Sequence, residues 1–489
     1  MRTDARLKQR YQAILSYTGF ILLLAGVLML TPLLTLIAWP EESIYSTGFI
    51  FPAVLLCGVG AGLWRLFRPP NTITLTVQEG GVVVLFSWIS VCVVSACPFM
   101  FVQGLNFTQA VFESVSGWTT TGLSVVDVTQ ASHPILIWRS TMQMVGGAGL
   151  VIIMLTVIAG PAGPGLSAAE GRSEQLVPHV RKSANLVFRI YFGYILVGIL
   201  AYWFAGMTPF DAINHAFCAL STGGFSTRTE SIGYWDSIAI EAVTLPLMIL
   251  GNLSFLTAYL FLGRKWRAVA RNGEVRLFST LVPVATLIFF LLVCRELYPT
   301  VGKQIRVAIF EAVTALSTTG YSTTSYGNWN AIGYIVLITF MFIGGGTYST
   351  AGGMKQYRIY LLLRSLLWEL RRPLLPRTAI VENYVWHGEQ KDYIDDSRIR
   401  EVAIFVFLYL VTLVIGVGII AAHGYEFKES LFEFASALGT VGLSVGVTAA
   451  GAPPLVLWTE TIGMFLGRLE FFVIFAGFAK IVRDLPGRA

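Results

Sequence analysis

Four short stretches of this chain, each set between apolar runs, carry nearly the same phrase. They are Thr119-Thr120-Thr121-Gly122-Leu123-Ser124, Ser221-Thr222-Gly223-Gly224-Phe225-Ser226, Ser317-Thr318-Thr319-Gly320-Tyr321-Ser322 and Gly439-Thr440-Val441-Gly442-Leu443-Ser444. The aligned glycines Gly122, Gly224, Gly320 and Gly442 are 102, 96 and 122 residues apart. A second phrase precedes each turn: Ala110-Val111-Phe112-Glu113, Asp211-Ala212-Ile213-Asn214-His215-Ala216-Phe217, Phe310-Glu311-Ala312-Val313 and Leu431-Phe432-Glu433-Phe434. Chance recurrence of Ser, Thr and Gly in turns does not account for two aligned phrases. Four large similar units close most simply around one axis.

The solvent for those units is lipid. Of 489 residues, 55% are hydrophobic and only 13% charged, against roughly 25% charged in a soluble domain. Residues 80–101, 186–204 and 402–422 are apolar runs long enough to cross a bilayer. The first apolar stretch, 19–38, outruns a signal peptide, no clear small-residue cleavage site follows it, and a second span begins near Gly48. Basic residues cluster before the first span, after the second, at 264–276, at 355–377 and at 480–488. Placing these segments in the cytoplasm satisfies the positive-inside rule and puts both termini inside. The net charge of +6 therefore reads as topology and not as a nucleic-acid-binding surface. Five scattered cysteines and a few histidines without ligand spacing indicate neither a disulfide framework nor a structural metal site.

The expected fold is an all-α polytopic membrane protein. Four pseudo-repeated helix–pore-helix–helix units, at 74–160, 180–265, 272–363 and 396–483, surround a central pore. An N-terminal transmembrane hairpin with its linker, 1–73, precedes them. The stretches 108–115, 209–219, 306–316 and 429–438 are too short to span and read as re-entrant helices. Such backbone is tolerated at membrane depth only against protein or a water-filled cavity. The C-terminal ends of the four short helices would bring partial negative charge toward that cavity, which favours a cation.

A dehydrated cation needs several oxygens at controlled distances. Backbone carbonyls supply them without a full charge in the path, and glycine lets the backbone aim them. The candidate filter is thus Thr120, Thr121 and Gly122; Thr222, Gly223 and Gly224; Thr318, Thr319 and Gly320; Thr440, Val441 and Gly442. Thr121, Gly223, Thr319 and Val441 differ, so the symmetry is approximate. No carboxylate lies within the turns, which argues against a divalent ion. Glu113, Glu311 and Glu433, with Asp211 in a comparable region of the second unit, either brace the filter or are simple acids near helix starts.

Below the filter, the third unit's second span is interrupted by Gly344, Gly345, Gly346, Thr347, Tyr348, Ser349, Thr350, Ala351, Gly352 and Gly353. Five glycines here make a continuous helix doubtful. The segment is either a pore-lining gate or a kink that allows close packing. Arg468 lies inside the last apolar span, where an arginine needs water or a partner. Facing the pore, it would oppose cation entry or contact the glycine-rich loop. Glu470, two positions on, is not its natural partner on one helix face and would pair elsewhere.

These residues resemble the TrkH/KtrB/HKT superfamily of potassium-uptake membrane subunits over nearly the whole chain. The resemblance rests on the four turns, on Trp138-Arg139 with Gly146-Gly147, on Ser349-Thr350-Ala351-Gly352-Gly353-Met354-Lys355, and on Gly467-Arg468-Leu469-Glu470. The extra N-terminal hairpin is similar to the longer, bacterial Trk architecture. The resemblance implies gated, potassium-selective uptake across a bacterial inner membrane. It makes the four aligned glycines filter glycines, residues 344–353 an intramembrane gating loop and Arg468 a pore-facing arginine. It also implies a homodimer and a cytoplasmic TrkA-like ring of nucleotide-binding regulatory subunits, docked on the basic segments. Potassium is then the permeant ion and no cofactor belongs to this chain, which has no dinucleotide-binding glycine fingerprint. One departure is Tyr348, where family members commonly carry a small residue.

Sodium-permeant transport, or potassium transport coupled to sodium or protons, is the alternative within transport. An enzyme built on Ser116, His215 and Glu311 has no nucleophile motif to support it.

Overall fold

The computed structural model describes residues 2–68, 75–149, 180–376, 382–387 and 390–484. The end of the first expected unit, 150–160, lies outside them, as do 69–74, Arg377 and Arg488. Helices dominate. Six described helices are long and apolar enough to cross a membrane, or up to eight if each of two sharply bent pairs counts as one span. The first two, Arg2–Leu28 and Ser46–Leu66, pack together as the expected hairpin.

Four short helices follow in four separate parts of the chain: Phe107–Trp118, Pro209–Leu220, Val301–Leu316 and Phe427–Gly439. Each extends beyond its expected bounds, Pro209–Leu220 by one residue and the others by three to five. Side-chain caps start two of them, Asn106 with Gln109 and Thr208 with Asp211. A long helix precedes each one, at Val77–Gln103, Lys182–Phe204, Gly273–Leu297 and Asp396–Ala421.

The helices after the turns differ from simple spans. His133–Ala148, Ile238–Asn252, Ala331–Ile343 and Pro454–Leu469 have 16, 15, 13 and 16 residues. At 1.5 Å per residue they are roughly 20–24 Å long, short of the ~30 Å hydrocarbon core. The second bends by 115° into Phe255–Leu262 and the fourth by 97° into Phe471–Asp484. The third gives way to the glycine-rich segment. The sequence signalled a break only there, because no proline or glycine cluster marks Leu253 or Glu470.

These short second helices close the ring. Each packs on the re-entrant helix of the next unit, and Pro454–Leu469 returns to Phe107–Trp118 of the first. The first and last of them also lie close to their own unit's re-entrant helix where a side chain is missing: a Cβ on Gly146 would lie 2.0 Å from the Trp118 carbonyl oxygen, and one on Gly467 2.0 Å from that of Leu438. The first unit is also held to the chain's end, where Val77–Ser95 packs on Phe471–Asp484.

One small feature departs from the all-helical expectation. Tyr384–His387 and Gln390–Tyr393 form an antiparallel hairpin. Val385 anchors it in a minor core with Leu361 and Val402.

Candidate functional site

Each re-entrant helix ends in the same unusual way. Thr120, Thr222, Thr318 and Thr440 have φ of 56°, 52°, 53° and 50°. The amide of each donates to the carbonyl three residues back, and the next amide reaches five back, as Thr121 N does to Ser116 O at 2.9 Å and Val441 N to Ser436 O at 2.9 Å. This is a Schellman ending, which normally recruits glycine at the left-handed position. A β-branched residue there costs of the order of 1–3 kcal/mol and persists only where surrounding structure fixes it. Four such threonines in four places argue that the hydroxyl is wanted.

The four glycines interlock. A Cβ on Gly122 would sit 2.2 Å from the Gly223 carbonyl oxygen, one on Gly224 2.2 Å from that of Thr319, one on Gly320 1.9 Å from that of Val441, and one on Gly442 2.2 Å from that of Thr121. Each contact runs from one unit to the next, and the last returns to the first. The residues that the sequence aligns thus form one closed ring. Its glycines line a cavity of about 320 Å³.

Nine residues before each glycine stand Glu113, His215, Glu311 and Glu433, all fully buried. Glu113 accepts from Ser124 Oγ at 3.0 Å and Val125 N at 3.0 Å. Glu311 accepts from Thr323 N at 2.9 Å and Tyr326 OH at 2.5 Å. Glu433 accepts from Ser444 Oγ at 2.6 Å and Val445 N at 3.0 Å. Each carboxylate therefore pins the strand that leaves the ring, so these residues are braces and not acids at helix starts. In the second unit His215 occupies that place, with Nε2 2.9 Å from Ser226 Oγ. Asp211, the comparable acid suggested by the sequence, instead takes the hydroxyl of Thr227 at 2.6 Å and pairs with Arg228 at 3.2 Å. Counting back from the glycines would have identified His215.

Arg139 joins the first two units. It is 2% exposed. Its Nε donates to Glu113 at 2.7 Å, and its other nitrogens donate to Ser124 Oγ at 2.8 Å and the Ser226 carbonyl at 3.2 Å. Its guanidinium also lies over the Phe225 ring, 3.9 Å from the centroid. Removing one partner from such a buried pair strands the other charge. The trio Ser116, His215 and Glu311 belongs to three different units, and each is absorbed into its own turn's bonding.

The segment 344–353 lies directly beneath the ring. Thr350 Oγ1 donates to the Leu220 carbonyl at 2.9 Å and lies 3.3 Å from Thr222 Oγ1. Gly352 N donates to Thr318 Oγ1 at 2.8 Å, and a Cβ on Gly352 would meet Thr440 Oγ1 at 1.8 Å. The segment therefore touches three of the four strained threonines. Thr120 Oγ1 and Thr440 Oγ1 are buried without a hydrogen-bond partner among the described residues. Gly346 N donates to Asn252 O at 3.1 Å, and Gly345 N to Gly352 O at 3.0 Å, which holds Gly344, Gly345, Gly346, Ser349, Ala351 and Gly353 in a compact loop.

Arg468 clamps that loop. Its Nη1 donates to the Thr350 carbonyl at 2.7 Å and its Nη2 to the Gly146 carbonyl at 2.6 Å. Glu470 pairs elsewhere, with Arg358 at 2.7 Å. Thr347 N donates to Glu274 at 2.6 Å. Tyr348, at φ 56°, lines a second cavity of about 360 Å³ beside Tyr357, Tyr360 and Trp386. None of the ring residues lines that cavity.

The TrkH cation transport protein family matches residues 49–484. The chain is 30% identical over 483 residues to the Trk system potassium uptake protein TrkH of Escherichia coli strain K12, covering 95% of this chain and 97% of that protein. It is 27% identical over 478 residues to an uncharacterized cation transporter of Methanocaldococcus jannaschii, covering 97% and 96%. The crystal structure of the potassium transporter TrkH from Vibrio parahaemolyticus superposes with a TM-score of 0.82 at 27% identity, covering 97% of this chain and 99% of that one. The chain is a multi-pass inner-membrane protein and belongs to the TrkH family of cation transport proteins.

Proposed function

We propose that this chain is a gated, potassium-selective uptake pore of the bacterial inner membrane. The observation that carries the reading is the closed ring. The carbonyls of Thr121, Gly223, Thr319 and Val441 each stand where the preceding unit's glycine has no side chain. That arrangement replaces a cation's hydration shell with backbone oxygens. Thr120, Thr222, Thr318 and Thr440 add hydroxyls at the inner rim. Potassium is the substrate of this site. An inside-negative potential supplies roughly 2.3 kcal/mol per charge per 100 mV for its entry.

On this reading, residues 344–353 are the gate, and Arg468 holds it closed while placing positive charge in the path. The functional units are 74–160, 180–265, 272–363 and 396–483, following the hairpin and linker at 1–73. Both termini are cytoplasmic, in keeping with the basic clusters. The kinship with Trk uptake proteins supports a homodimer in membrane lipid. It also supports a cytoplasmic TrkA-like nucleotide-binding ring that controls the gate, docked on 264–276 and 357–377. Nucleotide binds that ring and not this chain.

The test is the reversal potential of the purified chain in proteoliposomes under potassium and sodium gradients, with and without the ring. Reversal near the potassium equilibrium value is expected. Currents that follow sodium equally would sink the selectivity claim. A reversal potential displaced by a sodium or proton gradient at fixed potassium would establish coupled transport instead.

A further inference from the structure

The ring is not four equal walls, and its second wall is held by a residue from outside its own unit. Gln143 lies on His133–Ala148, in the first unit, and is fully buried. Its Nε2 donates to the Gly223 carbonyl at 2.5 Å. Its Oε1 accepts from Phe225 N at 3.1 Å. One amide thus bridges the residues on either side of Gly224.

The composition of the second turn makes room for the bridge. Six residues before the glycine, Ser116 Oγ accepts from Gly122 N at 3.1 Å, and Ser436 Oγ accepts from Gly442 N at 3.0 Å. The second unit has Cys218 at that place, and a thiol is a weak acceptor; the third has Thr314, whose Oγ1 takes no such bond either, so it is the glycine at 223 that sets the second wall apart. The residue before the ring glycine is Thr121, Thr319 or Val441 in the other units but Gly223 here. A Cβ on Gly223 would lie 2.3 Å from Gln143 Cδ. Gly223 is therefore the space that Gln143 fills.

The Gly223 carbonyl is also the ring carbonyl that faces Gly122. Two consecutive glycines leave its peptide free to turn, and the amide removes that freedom. We propose that Gln143 is a positioning residue for ion selectivity, clamping the second turn across Gly224 and setting the direction of the Gly223 carbonyl toward the ion path. The inference rests on the reading of the four turns as a potassium filter.

The test compares the full chain, Gln143→Met and the double variant Gln143→Ala/Gly223→Thr in proteoliposomes. Each is first checked for monodisperse elution and thermal unfolding in detergent. Gln143→Met keeps the volume and loses both hydrogen bonds. Its potassium-to-sodium permeability ratio is expected to fall about tenfold, the factor carried by a hydrogen bond of ordinary strength. The double variant fills the vacated space with the side chain found in two other walls. There the threonine hydroxyl meets a partner two residues back, Thr121 with Thr119 at 2.8 Å and Thr319 with Ser317 at 2.7 Å. Ser221 offers the same partner in the second unit, so most of the lost ratio is expected to return. A folded Gln143→Met that keeps the wild-type ratio overturns the proposal. So does a folded double variant that regains stability but no selectivity. If Gln143→Met does not fold, the double variant decides alone. A wild-type chain without selectivity would defeat the filter reading itself, before any variant is compared.

Discussion

Gly320→Ala is expected to lower potassium selectivity about a hundredfold while leaving the surrounding helices in place. The added methyl would sit 1.9 Å from the Val441 carbonyl oxygen, which is backbone and has no rotamer to escape into. Gly320 also has φ 79°, where a side chain is strained. Relief requires the Val441 carbonyl to move by an ångström or more, and a preorganised site loses about 10² for a displacement of that size. The buried brace Glu311 holds the outgoing strand through Thr323 and Tyr326, so the turn yields locally before the unit does. Reversal potentials of the variant check this. Retention of the wild-type permeability ratio would mean that the Val441 carbonyl does not meet the ion.

Arg468→Ala is expected to raise conduction in the absence of any partner. The arginine ties the Thr350 carbonyl to the Gly146 carbonyl, at 2.7 and 2.6 Å. Hydrogen bonds to a charged group are worth about 1.5–3 kcal/mol each. Losing two weakens the closed arrangement by about 3 kcal/mol or more, a shift of roughly a hundredfold in the balance between closed and open. Removing the positive charge acts in the same direction on a cation. Gly146 and Thr350 lie on different units, so the effect is specific to the position and not to the loop alone. The check is rubidium influx into proteoliposomes holding the chain without the regulatory ring. Unchanged influx would show that the loop is held by its other bonds, to Thr222, Thr318 and Asn252.

Much of this arrangement was legible because the signal was repetitive. Four threonine–glycine phrases, three of them with a Glu a fixed nine residues earlier, give both the number of units and the residues that meet at the axis. The glycine-rich break at 344–353 and the isolated Arg468 stood out because lipid tolerates neither without a reason. What did not repeat was harder to read. Gln143 acts on the second unit from the first, and its only trace is the glycine standing for threonine at 223. The bends at Leu253 and Glu470 have no proline or glycine cluster in the sequence to mark them. The role of His215 was masked by chemistry, since an imidazole replaces a carboxylate. The hairpin at Tyr384–Tyr393 is anchored by one buried valine, too little for a period-two pattern to show.

The most direct test of the ring is to locate the ion. Anomalous scattering from crystals of this chain grown in rubidium or thallium should place a peak on the axis, framed by the carbonyls of Thr121, Gly223, Thr319 and Val441. Sodium-grown crystals should show no equivalent density there. A heavy-ion peak elsewhere, with none inside the ring, would contradict the account.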